Sequence, residues 1–401
     1  MTKVLKLSQI LEPKNLRVED MTIQPMSCTN EGIFLREEKF SKNLSKSLAK
    51  NKIAHKGDFI FGMSRKILNF GMMKFSEGSF SSAYKVYKCK FGYEFSVFLD
   101  LYIRLNHDYF FQCISGGARE GQSISEDILF NLEVNVPDNN DIENLVRIVD
   151  FFNSKIELYQ QTNETLEEIV KTLFKSWFID FDPVRAKAEG RSTGLSKEIS
   201  DLFPDSFEDS ELGEMPSGWK VGNLGNLCFP KRGKVITKAK VEPGNFPVVA
   251  GGIKPPYYHS EPNAESPIVT ISASGTAGFV NLYYEDIWAS DCSYINKEIT
   301  DNVFFIYSFL KINQQRIYDL RHGAVQQHVY PKDLIELPIF LSSNSLIEEY
   351  EKIATSFHEK ISLNIQESKH LEAIRDTLLP RLISGVLQIP DAENVVKEAG
   401  I

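Results

Sequence analysis

Residues 142–173 align without a gap on residues 347–378, an offset of 205, and thirteen of the thirty-two positions are identical. The identities include Ile142/Ile347, Phe152/Phe357, Ile156/Ile361, Gln161/Gln366, Leu166/Leu371 and Leu173/Leu378. Self-similarity at a fixed long period is the mark of a chain built from repeated units, so two copies of one plan are expected. Looser echoes lie upstream: Gly117-Ala118 with Gln122 against Gly323-Ala324 with Gln326 and Gln327, and Leu132-Glu-Val134 against Leu337-Pro-Ile339.

The repeated segment has helical spacing. In the first copy the apolar positions run Ile142, Leu145, Val149, Phe152, Ile156, Tyr159, then Leu166, Val170, Leu173 and Trp177, with Asn163 interrupting once. The second copy runs Ile347, Tyr350, Ala354, Phe357, Ile361, Asn364, Ser368, Leu371, Arg375, Leu378 and Leu382. Gaps of three and four sustained for about five heptads predict a coiled coil. Asn163 and Ser368 hold equivalent places in mid-seam, where polar residues fix register at some cost in stability. Pro183 is expected to stop the first helix, and Gly385 to follow the end of the second.

Each helix follows a strand-rich stretch of about 140 residues, with short strands expected at 58–61, 84–87, 267–271 and 278–282. The predicted divisions are a first mixed domain over 1–140, a long helix over 141–182 and an acidic linker over 183–218, ordered in part at best. A second mixed domain over 219–341, a second long helix over 342–385 and a tail over 386–401 complete the chain. Five scattered cysteines without a CxxC suggest buried thiols rather than a disulfide framework or a zinc site. No run reaches the length of a membrane span and no signal-peptide core opens the chain, so a cytoplasmic protein is expected.

The net charge of −9 disfavours a polyanion partner only on average. Residues 36–66 hold nine basic and three acidic side chains, with Lys42, Lys46 and Lys50 recurring every four residues and Arg65 and Lys66 closing the run. Residues 219–258 hold seven basic side chains, among them Lys231, Arg232, Lys234, Lys238 and Lys254, against Glu242 alone. The acid is concentrated elsewhere, seven carboxylates within 198–214 and seven within 141–171. Two basic patches with acidic spacers between them favour phosphate contact.

Catalytic signatures are missing. Lys254-Pro-Pro-Tyr257 has the outline of an amino-methyltransferase tetrapeptide, but its first residue must accept from the target amino group and lysine only donates. There is no Gly-x-x-x-x-Gly-Lys-Ser/Thr loop, and the seven histidines form no metal-binding pair. A binding protein is the expectation. The rival readings are a modification enzyme carrying its own methyltransferase and a coiled-coil adaptor that binds only protein.

Leu173-Phe-Lys-Ser-Trp-Phe-Ile-Asp-Phe-Asp-Pro-Val184, with Arg185-Ala-Lys-Ala-Glu-Gly-Arg191, 202–213 and Pro216-Ser-Gly-Trp219, strongly resembles the central conserved region of type I restriction–modification specificity subunits. Leu378-Leu-Pro-Arg-Leu-Ile-Ser-Gly385 is similar to that family's C-terminal conserved region. Ile271-Ser-Ala-Ser-Gly-Thr-Ala-Gly-Phe-Val280, with Trp288-Ala-Ser-Asp-Cys-Ser-Tyr294, resembles the interior of its target recognition domains. The first domain departs most, since Val4-Leu-Lys-Leu-Ser-Gln-Ile10 lacks a counterpart of Gly218-Trp219.

The resemblance implies an α+β protein with two strand-rich mixed α/β target recognition domains and a pseudo-two-fold internal repeat. Its two long helices would pair as an antiparallel coiled coil. Each domain would read one half of a bipartite site in double-stranded DNA, the helices setting the gap. It implies two methyltransferase subunits, two restriction subunits in the full complex, and no catalysis or cofactor in this chain. S-adenosylmethionine would belong to the methyltransferase, and ATP and Mg to the restriction subunit.

The candidate DNA contacts are Lys42, Lys46, Lys50, Arg65, Lys66, Arg119 and Gln122 in the first copy. In the second they are Lys231, Arg232, Lys234, Lys238, Lys254, Arg321, His322, Gln326 and Gln327. The candidate seam and docking positions are Ile142, Val149, Phe152, Ile156, Leu166, Leu173, Trp177, Phe357, Ile361, Leu371 and Leu378.

Overall fold

The computed structural model describes residues 3–18, 23–39, 51–62, 67–114, 124–323 and 327–384. They form two compact units, Met1–Glu157 with Ser368–Ile401, and Leu158–Glu367. The division falls inside both long helices, so the helices are not separate bodies with edges at 140/141 and 341/342. Burial explains this. In the second unit Val170, Phe174 and Trp177 of one helix and Leu346, Ile347, Tyr350 and Ala354 of the other belong to the same apolar core as the strand-rich domain.

The repeat survives at the level of elements. Glu126–Asn131 and Pro331–Leu334 are short helices whose starts differ by 205. Strands Glu133–Val136 and Pro338–Leu341, and helices Asn139–Phe178 and Asn344–Ile383, keep the same offset at both ends. In each unit the strand before the long helix pairs antiparallel with the first strand of its domain, Lys3–Lys6 in one and Lys220–Asn223 in the other. Both long helices have 40 residues, about 60 Å of α-helix.

The first unit carries a four-stranded sheet in the order Leu11–Pro13, Lys85–Cys89, Phe59–Phe61, Phe70–Met72. Helix Tyr93–Leu105 buries Phe95, Phe98, Leu99, Tyr102 and Ile103. The second unit carries a sheet in the order Lys231–Arg232, Cys292–Ile295, Ile268–Ser272, Val280–Tyr283, and helix Val303–Ile312 covers its core. The expected strands at 58–61, 84–87, 267–271 and 278–282 are present within two residues of those bounds. All five cysteines are buried and free.

The seam departs from the expected one in phase and in partner. Ile142, Val149, Phe152 and Ile156 are buried, as are Trp177, Ile361, Leu371 and Leu378. Leu166, Leu173 and Phe357 are only half-buried, and Val170, Phe174 and Phe178 take the interior. A straight helix drifts about 20° per heptad against a 3.5-residue repeat, so beyond Asn163 the buried stripe moves on.

The helices run antiparallel within each unit. Asn364 Nδ2 donates to Asn163 Oδ1 at 2.8 Å in the second, and Arg375 Nη1 to Asn153 Oδ1 at 2.9 Å in the first. Asn163 therefore meets Asn364, not Ser368: sequence-equivalent positions are related by the repeat, whereas facing positions are related by the antiparallel pairing.

Two further expectations are corrected. The first helix ends at Phe178, Phe181 takes a left-handed conformation at φ 56°, and Pro183 lies in the first turn of the next helix, Asp182–Ala188. Proline is favoured there because its missing N–H is not needed in a first turn. Nor is 183–218 a loose linker. It holds two short helices and a hairpin, Phe207–Ser210 with Gly213–Pro216, and buries Val184, Phe203 and Met215 in the second unit's core. Trp177 packs edge-on against Phe203 at 5.2 Å, which ties the segment to the helix. The acidic run is its solvated face. Gly385 lies outside the described residues; the second helix ends at Ile383.

Candidate nucleic-acid interface

The second unit gathers its basic stretch and its Gly-Ala loop around one turn. Strand Ile268–Ser272 runs into 273–278, where Gly275 and Gly278 have φ of 63° and 82° that favour glycine. A Cβ on Gly275 would stand 2.6 Å from the Gly251 carbonyl oxygen, so two loops touch backbone to backbone. Thr276 donates to Gly251 O from its N–H at 2.7 Å and its hydroxyl at 2.9 Å. Ala273 donates to Asp291 O, and Val329 donates to Ala273 O. Paired backbone bonds between His322 and His328 close the Gly-Ala loop beside it.

Onto this frame the strand Lys231–Arg232 adds an edge, paired with Tyr294 and Ser293. Gly233 and Lys234 continue the contact by donating to Cys292 O and Ala289 O. Trp288 Nε1 donates to Lys234 O at 2.8 Å, holding that backbone from the other side. Cys292 lies beneath, its thiol pushed up to about 12 by burial, so it is a packing group and not a nucleophile.

The side chains then separate by role. Arg232 donates to Asp291 Oδ1 at 3.1 Å, Ser274 hydrogen-bonds the other carboxylate oxygen, and the guanidinium lies 5.6 Å from the Tyr330 ring. Lys231 bonds Glu298 at 3.1 Å, which raises the pKa of the ammonium. Lys234 stands over Trp288 and Lys238 over Tyr257; both are exposed, as is Lys254. His322 is exposed and 3.5 Å from Asp333, and Gln327 is exposed.

Arg321 is the exception among the candidates. Its Nε donates to Ala277 O at 2.7 Å and its guanidinium stacks 3.9 Å over Tyr318, so it fastens the turn rather than reaching outward.

Lys42, Lys46, Lys50, Arg65, Lys66, Arg119, Gln122 and Gln326 lie outside the described residues. What is described of the first unit's Gly-Ala loop is its closure, an antiparallel bridge between Ile114 and Ile124. Asp291, Ser274 and Tyr330 were not legible as site residues. Tyr330 follows the repeated glutamines by three positions, and Asp291 and Ser274 lie in the two motifs singled out from 271–294, but only the fold brings them to Arg232.

The described residues thus form a tandem α+β protein, in which two strand-rich domains are each continued by a long helix and the second presents a braced cationic edge beside its loops. Residues 216–373 match the family model of the type I restriction modification DNA specificity domain. Over 363 residues the chain is 27% identical to the type I restriction enzyme HindI specificity subunit of Haemophilus influenzae, covering 72% of this chain and 76% of that one. The type I restriction enzyme MjaIX specificity subunit of Methanocaldococcus jannaschii is 23% identical over 308 residues, 69% of this chain and 66% of its own. The crystal structure of a type I restriction-modification system S subunit from M. genitalium shares the fold, with a TM-score of 0.52 at 17% identity over 95% of this chain and 96% of that one. The second half of the chain thus carries a type I restriction modification DNA specificity domain, and over about 70% of its length the chain is similar to type I restriction enzyme specificity subunits.

Proposed function

We propose that this chain binds double-stranded DNA as the specificity subunit of a type I restriction–modification complex, each strand-rich domain reading one half of a bipartite target. The observation that supports this is the backbone contact that joins Gly251 and Val329 to the 273–278 turn, with Arg321 bonded to Ala277 and strand Lys231–Arg232 paired with Ser293 and Tyr294 beside it. The stretches 231–234, 251–254 and 321–330 supply lysines for phosphates and arginine, histidine and glutamine for base edges. No described helix is long and apolar enough to cross a membrane.

Replacing Lys234, Lys238 and Lys254 with alanine should weaken duplex binding uniformly across sequences. The slope of log K against log salt should flatten by about 0.9 for each phosphate contact removed. Titration of the wild-type and triple-variant complexes with one duplex at several salt concentrations measures this. An unchanged slope would place these lysines off the DNA.

The two methyltransferase subunits implied by the family would dock on the helices, and the second unit offers a surface suited to one of them. Ile169, Leu173, Ile353 and Phe357 of the long helices, with Leu195 and Ile199, line an apolar groove of about 660 Å³. Ile169 is 43% exposed in that groove. An Ile169→Asp variant should keep its fold and lose co-purification with the methyltransferase subunit. Undiminished co-purification would move the docking surface elsewhere.

A further inference from the structure

We infer that Arg232 reads a guanine in the half-site bound by the second unit, an assignment that rests on the DNA-recognition reading above and adds to it the residue and the base.

Successive side chains on a strand point to opposite faces, so Lys231 and Arg232 part company despite being neighbours. Lys231 meets Glu298, a pair exposed on both sides, while Arg232 faces Asp291. A phosphate contact needs only a positive charge on a mobile stem. A base contact needs a fork held at a fixed angle, because guanine offers O6 and N7 side by side and arginine matches them with two parallel N–H groups.

Arg232 has that bracing. Its backbone lies in a ladder continued on the far side by Gly233 and Lys234. Gly233 itself is clamped, since a Cβ there would stand 2.4 Å from the Ser290 carbonyl oxygen. One guanidinium nitrogen is held by Asp291, whose second oxygen is fixed by Ser274, and Tyr330 flanks the guanidinium. Arginine carries five N–H donors, so the bond to Asp291 leaves enough for a bidentate base contact. The side chain is still 38% exposed. An exposed ion pair of this kind adds little to stability, whereas a site mounted on strands with a bonded supporting carboxylate reads geometry well.

The test uses the complex with its methyltransferase, with modified-motif sequencing and binding to duplexes carrying the wild-type motif and its single-base-pair variants. The wild-type motif is expected to contain a G·C pair in one half-site that Arg232→Ala ceases to require. Discrimination at that pair should fall about 5- to 150-fold, with the other positions unchanged. Arg232→Gln should move the preference there from guanine towards adenine, because the glutamine amide matches adenine N6 and N7. Arg232→Lys, which keeps the charge and the stem, should also lose the preference, and it carries the test if the alanine variant is unstable. Lys231→Ala should leave the motif intact.

An unchanged motif in all three Arg232 variants overturns the assignment. So does a uniform loss of affinity with the salt slope reduced by about one, which would make Arg232 a phosphate contact. A wild-type complex without sequence preference would instead sink the recognition reading itself.

Discussion

Seven residues inserted into each long helix, after Asn163 in the first and before Asn364 in the second, are expected to widen the gap between the two halves of the modified motif. The half-site sequences should not change, since no loop of either domain is altered. The insertion points follow the observed pairing of Asn163 with Asn364. An insertion after Ser368, its equivalent in the repeat, would separate residues that do not face Asn163. A heptad returns the apolar stripe to within about 20° of its original direction and adds about 10 Å of helix. At about 3.4 Å per base pair, the gap should grow by up to three base pairs.

Four residues inserted in one helix alone should be far more damaging. Every facing pair beyond the insertion would slip by about 6 Å, and buried Phe174, Trp177 and Tyr350 could not all regain their places. Soluble yield and assembly with the methyltransferase should be lost. Motif sequencing after each insertion provides the readout. Efficient modification at the original gap after the paired insertion would show that the helices do not set the spacing.

The repeat made both helices legible because one pattern was written twice, and the two ends of each helix keep the offset of 205. The seam was legible in the half nearer the first domain and misread in the other for a physical reason. A heptad count follows one stripe, but in the second unit the helices bury two, one against each other and one against the domain. Glu351 and His358 lie on that second stripe. His358 is 1% exposed and stacks on Phe304 at 4.3 Å. Glu351 accepts from the N–H groups of Phe304 and Phe305, capping a helix whose own N-cap residue, Asn302, makes no side-chain cap bond. Neither residue type in a polar helix suggests burial.

The acidic stretch 198–214 was misread because its charges face solvent while Phe203, Met215 and Trp219 hold it down. In the cationic edge of the second unit the charge pattern located the stretch, but charge alone could not distinguish Arg232, braced on Asp291, from Arg321, used inside the turn.

That second stripe gives the second unit an unusual response to pH, and the last prediction concerns it. Burial lowers the pKa of His358 from 6.5 to about 4. Burial raises that of Glu351 from 4.5 to about 7, against the opposing pull of its two backbone N–H bonds and of Lys297. Below pH 6.5 the unfolded chain protonates its histidine while the folded one does not, so this group removes stability as pH falls towards about 4. Between pH 4.5 and about 7 the unfolded chain ionises its glutamate while the folded one stays protonated, so that group removes stability as pH rises. Each effect is on the order of 3 kcal/mol over its full range, and between about pH 4.5 and 6.5 they oppose one another. Removing one should expose the other. His358→Phe, which keeps the stack on Phe304, should gain on the order of 3 kcal/mol relative to wild type between pH 7 and pH 4. Glu351→Gln should gain relative to wild type as pH rises from 4.5 to 7. All three tryptophans, Trp177, Trp219 and Trp288, lie in this unit, so urea unfolding followed by tryptophan fluorescence reports on it alone. A His358→Phe difference from wild type that is the same at pH 4 and pH 7 would mean that the buried imidazole takes up its proton without resistance, and that the stripe is open to water.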